Sequence, residues 1–68
     1  MKLTINGEEK EFGEELSVVA LLQAEQVKMP DMVSVELNGE ILDRKNFETT
    51  MVKDGDAIEF LYFMGGGA

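Results

Sequence analysis

Two Asn-Gly dipeptides, Asn6-Gly7 and Asn38-Gly39, constrain the fold of this 68-residue chain more than any other feature. Each follows a short run in which apolar and polar residues alternate, the pattern of a strand with one buried face. Asn-Gly is the strongest short signal for a hairpin, because both central residues of a type I′ turn take positive φ. The sequence therefore predicts two β-hairpins, one at each dipeptide.

One helix is predicted between the two hairpins, within residues 16–25. Val18 to Leu22 provide the i, i+3, i+4 apolar stripe of an amphipathic helix. Ser17 stands just before this stripe, where its hydroxyl can accept a hydrogen bond from a backbone N–H of the first turn. Pro30 ends any continuation of the helix.

One more strand is predicted after the second hairpin. Residues 44–50 are polar except for Phe47, which predicts a turn or a single helical turn held against the core. Residues 53–56 predict a tight turn, and residues 57–63 alternate again and predict the last strand. We therefore expect an α+β domain in which a mixed sheet of four to five strands carries one main helix on one face. The pattern leaves open whether the first and last strands pair in parallel.

The composition excludes several kinds of site. The chain has no cysteine and no histidine, so disulfides, the usual zinc sites and Ser-His-Asp or Cys-His catalytic sites are impossible. Asp54 and Asp56 flank a glycine, but a lone Asp-Gly-Asp lacks the further oxygen ligands of a calcium loop. We therefore predict no metal site, no tightly bound cofactor and no catalytic residue.

The formal net charge is −8, from 14 acidic and 6 basic side chains. Nucleic-acid binding is not expected, because it relies on clustered lysine and arginine. An acidic surface suits basic patches on protein partners, although the same charge can simply keep a small protein soluble. The N-terminus does not resemble a signal peptide and no run approaches ~20 apolar residues, so we expect a cytoplasmic protein with no membrane partner.

Five segments, taken in order, resemble a known family. They are residues 5–8, 17–22, 35–39 and 55–60, followed by the glycines near the end of the chain, and they resemble the ThiS-like sulfur carriers of the ubiquitin-like β-grasp superfamily. No single segment is specific, but together they cover nearly the whole chain. The resemblance implies a β-grasp fold with parallel first and last strands.

The resemblance also implies a carrier rather than an enzyme. In this family an ATP-dependent activating enzyme of the ThiF/MoeB type adenylates the C-terminal glycine, and a sulfur source then converts it to a thiocarboxylate. A sulfur acceptor enzyme uses that sulfur to make thiamin, methionine or another product. The domain would cover residues 1–63 and the glycine-rich tail residues 64–68. Within the tail, Gly66 and Gly67 would carry the function and Gly65 would precede them.

Ala68 departs from the family pattern, in which the active chain ends in Gly-Gly. A methyl group on the last residue would obstruct a channel shaped for glycine. The resemblance therefore implies a precursor that a protease, such as a JAMM-type zinc metallopeptidase, cuts between Gly67 and Ala68. The alternatives are that Ala68 is tolerated or that it does not belong to the natural chain.

Three apolar residues near the tail, Leu61, Phe63 and Met64, are candidates for docking the activating enzyme. If Ile58 and Phe60 face the helix, Leu61 and Phe63 lie on the opposite face, which an open sheet leaves in water. An apolar cluster there would suit a partner surface, although a loop could equally cover it. A ubiquitin-like module that binds or tags other proteins is the alternative function of a different class.

Overall fold

The computed structural model describes residues 1–28 and 30–62. No helix within these residues has the length and apolar character needed to cross a membrane. Single 3₁₀ turns cover Pro30–Met32 and Arg44–Asn46. The helix and strands follow the predicted order: β1 (Lys2–Ile5), β2 (Glu8–Glu11), α1 (Val18–Ala24), β3 (Val33–Leu37), β4 (Glu40–Leu42) and β5 (Ala57–Tyr62).

The five strands form one mixed sheet in the order β2-β1-β5-β3-β4. β1 and β5 are parallel, with Thr4 opposite Ala57 and Ile5 opposite Ile58. The other neighbouring strands are antiparallel. The last strand therefore lies in the middle of the sheet, between the first and the third. This arrangement is the β-grasp fold, and it decides the pairing that the sequence pattern left open.

The core lies between α1 and one face of the sheet. Val18, Leu21 and Leu22 of α1 are buried there, as their helical spacing predicts. Because the chain has no disulfide, apolar burial at roughly 25 cal/mol per Å² is its main source of stability. The helix residues pack against inward-facing residues of β1, β3 and β5 and against the connection between β4 and β5, namely Leu3, Ile5, Val33, Val35, Phe47, Val52, Ile58 and Phe60.

Both Asn-Gly dipeptides form the predicted turns. The angle φ is 50° at Asn6 and 86° at Gly7 in the first turn, and 53° at Asn38 and 87° at Gly39 in the second. Positive values at both central positions are what a type I′ turn requires. The two hairpins are therefore closed by the local chemistry that the sequence indicates.

Hydrogen bonds cap the helix α1 at both ends. The Ser17 hydroxyl oxygen accepts a hydrogen bond from Ala20 N–H at 3.1 Å, which confirms the predicted N-cap. At the other end, Val27 N–H donates to Leu22 C=O at 3.0 Å, which is the hydrogen bond of a Schellman motif that spans more residues. Glycine usually takes the left-handed position of this motif, but here Gln26 takes it with φ of 57°.

The polar connection after β4 makes the short helical turn that the sequence predicts. Phe47, directly after this turn, is 5 % exposed and belongs to the core. The Arg44 guanidinium carbon lies 5.4 Å from the centre of the Phe47 ring, and its Nη2 donates to Val33 C=O at 2.7 Å. Arg44 therefore fastens this turn to the beginning of β3.

Candidate functional site

β5 ends at Tyr62, directly before the residues that the sequence predicts to carry the function. The predicted roles of those residues remain predictions, because they lie outside the described part of the chain. The structure instead defines the end of β5 and the surfaces around it. The predicted residues outside the described part of the chain are Phe63, Met64, Gly65, Gly66, Gly67 and Ala68.

The C-terminal end of β5 is held differently on its two sides. β3 pairs with β5 as far as Val33 opposite Tyr62. On the other side, β1 pairs with β5 only as far as Ile58. Within the described residues, the central strand therefore reaches the start of the tail with only one neighbouring strand.

Three apolar residues form a patch near this end of β5. Leu61 is 39 % exposed, Ile41 is 63 % exposed and Tyr62 is 50 % exposed. Together with Ser34 they line a shallow hollow of about 200 Å³. We call Ile41, Leu61 and Tyr62 the apolar patch.

The patch agrees only in part with the sequence-based expectation. Leu61 lies on the face away from α1, as predicted, since the alternate residues of β5 are buried. Alternation along β5 places Tyr62 on the side that faces the helix. At the end of the strand, however, half of Tyr62 is exposed, and it lines the same hollow as Leu61. Ile41 was not identified from the sequence as a patch residue. Its neighbour Leu42 packs against the core, so alternation along β4 could have indicated that Ile41 points outward.

Carboxylates lie beside the apolar patch. Glu36 of β3 is opposite Glu59 of β5 on one side and opposite Ile41 of β4 on the other. Like charges directly opposite one another on neighbouring strands destabilise a sheet. The open face beside the apolar patch therefore carries two neighbouring negative charges.

One ion pair links the first hairpin to the helix, away from the patch. Lys10 Nζ on β2 lies 2.7 Å from Glu25 Oε1 at the C-cap of α1. The hydrogen bond that Lys10 donates to Glu25, and then the negative charge of Glu25, raise the pKa of Lys10 above its ordinary value of 10.5. This contact fastens an edge strand to the helix and is remote from the end of β5.

A larger hollow, of about 380 Å³, lies on the helix side of the sheet. Val19, Leu22, Val27 and Phe47 give it apolar walls, and its rim carries charges of both signs. Residues 1–28 and 30–62 contain no buried polar side chain and no group of three or more metal-ligating side chains. These two hollows therefore offer mainly apolar contact.

Comparison with known proteins identifies the family. The sequence profile of the ThiS family matches residues 3–67. A crystal structure of the thiamine biosynthesis protein ThiS from Geobacter metallireducens is 55 % identical with a TM-score of 0.89, and covers 98 % of this chain and 100 % of its own. An NMR structure of a thiamine biosynthesis protein from the same organism is 54 % identical with a TM-score of 0.81, and covers 100 % of this chain and 90 % of its own.

A longer relative is also similar to this chain. The thiazole synthase of Paramagnetospirillum magneticum is 43 % identical over 68 residues, which are 100 % of this chain and 21 % of that protein, so the chain spans about a fifth of its length. ThiS proteins are small sulfur carriers and not enzymes, and they work with activating enzymes and sulfur acceptor enzymes. The profile match over nearly the whole chain, and the β-grasp fold shared with close structural relatives, show that this chain belongs to the ThiS family of sulfur carriers.

Proposed function

We propose that this chain carries sulfur for thiamine biosynthesis, as a thiocarboxylate formed on Gly67. The observation that carries the proposal is the 55 % identity to the Geobacter protein described as a thiamine biosynthesis protein, over 98 % of the present chain. The similarity to a thiazole synthase supports the same pathway, although that relative is much longer. A carrier for methionine synthesis would use the same tail, so the test must identify the product.

The proposed chemistry uses the carboxylate of Gly67 as the reactive group of the chain. A carboxylate oxygen attacks the α-phosphate of ATP, pyrophosphate leaves and an acyl adenylate forms. Sulfide then attacks the acyl carbon and AMP leaves, which gives the thiocarboxylate. If the donor is a persulfide, an acyl disulfide forms first and a thiol has to reduce it. The ATP site and the catalytic groups belong to the activating enzyme, which we propose to be of the ThiF/MoeB type.

The composition of the tail supports this division of labour. Glycine has no Cβ, so a glycine-rich end can enter a narrow channel and take backbone conformations closed to other residues. Four fully extended residues reach at most about 14 Å. Residues 64–67, which end at the proposed reactive carboxylate, could therefore pass from the domain into the buried site of a partner.

We further propose that Ala68 is removed before activation. The support for this step is the departure of Ala68 from the Gly-Gly end of the family pattern. A JAMM-type zinc metallopeptidase incubated with the chain should remove Ala68 and nothing else. No cleavage, or cleavage at another bond, would contradict this part of the proposal.

The activation step is tested with three chains: the full chain, the chain ending at Gly67, and that shorter chain carrying Gly67→Ala. Each is mixed with ATP and a ThiF-type enzyme, and pyrophosphate release is measured. The chain ending at Gly67 should react, the full chain should react poorly, and the Gly67→Ala control should react least. Equal reaction of the full chain would show that trimming is unnecessary, and no reaction of any chain would contradict the carrier function.

The product is then identified by intact mass after addition of sulfide. A gain equal to the exchange of one oxygen for sulfur supports the thiocarboxylate, and transfer of that sulfur to a thiazole product supports the thiamine pathway. Transfer only to a methionine precursor would contradict the pathway and leave the carrier chemistry in place. Lysine-linked conjugates in cell extract, without a thiocarboxylate, would instead indicate a ubiquitin-like tagging module.

The apolar patch and the acidic pair beside it are the proposed docking surface for the activating enzyme. Leu61 is the patch residue that the sequence also suggested, and Phe63 and Met64 remain predicted additions to it. Glu36 and Glu59 would favour a partner surface that has apolar residues at its centre and lysine or arginine around them. Such a surface would bring the activating enzyme to the end of β5, where the tail begins.

A further inference from the structure

Two asparagine side chains of the hairpin turns hold the central strand. The Asn38 side-chain oxygen accepts a hydrogen bond from Ala57 N–H at 2.9 Å, at the start of β5. The Asn6 side-chain oxygen accepts one from Phe60 N–H at 2.8 Å, two residues before Tyr62. Both asparagines occupy the first central position of their turns, so equivalent residues of the two hairpins hold different parts of β5.

The hydrogen bond from Phe60 replaces one that the backbone ladder cannot make. Thr4 N–H donates to Asp56 C=O at 3.0 Å, and Asn6 N–H donates to Ile58 C=O at 2.9 Å. In a regular parallel ladder the next donor, Phe60 N–H, would reach the backbone C=O of Asn6. The chain turns away at Asn6, where φ is 50°, and the side-chain oxygen of the same residue accepts instead.

Asn6 is thus the last point at which the first hairpin is hydrogen-bonded to β5 within the described residues. Without its side-chain oxygen, the described part of β5 beyond Ile58 would be hydrogen-bonded to β3 alone. We propose that Asn6 is a positioning residue, because its side-chain amide orders the end of β5, directly before the predicted tail. The effect on activation rests on the proposed carrier function, whereas the effect on β5 does not.

The order of this end of β5 matters because the proposed reacting carboxylate follows it in the chain and has to meet ATP in the site of another protein. A misplacement of about 1 Å can lower a rate by up to about 100-fold. Asn6 lies outside the apolar patch, so its loss should leave docking unchanged. We therefore expect kcat of activation to fall while KM for the carrier stays the same.

Three variants separate positioning from simple stabilisation. Asn6→Gly keeps the positive φ and removes the side-chain acceptor, whereas Asn6→Asp keeps an acceptor oxygen in the same place. Asn38→Gly is the control at the start of β5, since it removes the equivalent hydrogen bond from Ala57 N–H. It also removes the hydrogen bond that Asn38 Nδ2 donates to Asp56 Oδ1 at 3.0 Å, so it is at least as severe a loss of contacts as Asn6→Gly. Glycine readily adopts the positive φ of this turn, so Asn6→Gly should fold.

The first readout is amide hydrogen exchange of the full chain, which needs no partner. Asn6→Gly should accelerate exchange at Phe60, and Asn38→Gly should accelerate it at Ala57. The second readout is pyrophosphate release by a ThiF-type enzyme from chains ending at Gly67. Asn6→Gly should lower kcat on the order of 10-fold with KM unchanged, while Asn6→Asp and Asn38→Gly should stay within about twofold of the unchanged chain.

Several results would overturn the proposal. Unchanged exchange at Phe60 in Asn6→Gly would show that its side-chain bond does not hold the strand. Equal losses of kcat in Asn6→Gly and Asn38→Gly, or a loss in Asn6→Asp as large as in Asn6→Gly, would show a general effect on stability. If the unchanged chain ending at Gly67 is not activated at all, the carrier function fails, and hydrogen exchange alone then decides whether Asn6 orders the end of β5.

Discussion

Ile41→Ala should weaken partner binding more than Leu61→Ala does, whereas Leu61→Ala should lower the stability of the fold more. Both residues belong to the apolar patch, but Ile41 is 63 % exposed in the free protein and Leu61 is 39 % exposed. A partner can bury only the surface that the fold leaves in water. Ile41 therefore has more to contribute to binding, whereas Leu61 already contributes more to folding.

The expected magnitudes follow from these exposed fractions. Full burial of an isoleucine or leucine side chain is worth about 1.5–3 kcal/mol. The exposed share of Ile41 then corresponds to about 0.9–1.9 kcal/mol, or a loss of affinity of about 5- to 25-fold in Ile41→Ala. The share of Leu61 corresponds to about 0.6–1.2 kcal/mol, or about 3- to 8-fold in Leu61→Ala. For unfolding free energy the order reverses, and Leu61→Ala is the more destabilising change.

Calorimetric titration with a ThiF-type activating enzyme measures the affinities, and urea unfolding measures the stabilities. Met51→Ala serves as a matched control, because Met51 is 43 % exposed but is paired with Ser17 rather than placed in the patch. This control should leave the affinity unchanged. The reasoning is refuted if Ile41→Ala binds as tightly as the unchanged chain, or if Leu61→Ala loses more affinity than Ile41→Ala.

Three further changes test the fold itself. Gln26→Gly should stabilise the protein by about 0.5–1 kcal/mol in urea unfolding, because the left-handed conformation costs glutamine more than glycine loses in chain entropy; a loss of stability would contradict the Schellman geometry. Leu21→Ala should cost about 2–5 kcal/mol and leave a domain of this size largely unfolded at 37 °C, as measured by circular dichroism; a cost near zero would show that the helix does not seal the core. Lys10→Gln should lower the melting temperature at neutral pH, and the difference should vanish as pH rises past 10.5 and through the raised pKa of Lys10 in the folded protein. A difference that persists at that high pH would show that the Lys10–Glu25 contact is not what stabilises the protein.

The fold was largely predictable because its signals are local. Positive φ at Asn6-Gly7 and Asn38-Gly39 follows from the residue types, as does the cap that Ser17 places on α1. Alternation along a strand identifies its buried face without reference to any other strand. These parts of the prediction are confirmed because each depends on residues only a few positions apart.

The surface around the tail was less predictable. Ile41 and Leu61 are 20 positions apart in the sequence. They line the same hollow because β4 and β5 pair with opposite edges of β3. The sequence showed that Leu61 should point outward, but no local pattern connects it to Ile41. Glu36 and Glu59 are likewise opposite one another because of the register between β3 and β5. The hydrophobic pattern of the sequence does not predict which individual residues pair in that register.

By itself, the sequence determined the kinds of secondary structure, the buried residues, the absence of cysteine and histidine chemistry and, through its resemblance, the carrier family. Its glycines near the end of the chain also predict where the proposed chemistry takes place. Only the tertiary structure decided that β5 pairs in parallel with β1 and that Asn6 bonds to Phe60, 54 positions later in the chain. Such contacts depend on how distant segments meet once the apolar face of α1 is buried, and no local preference of the chain encodes them.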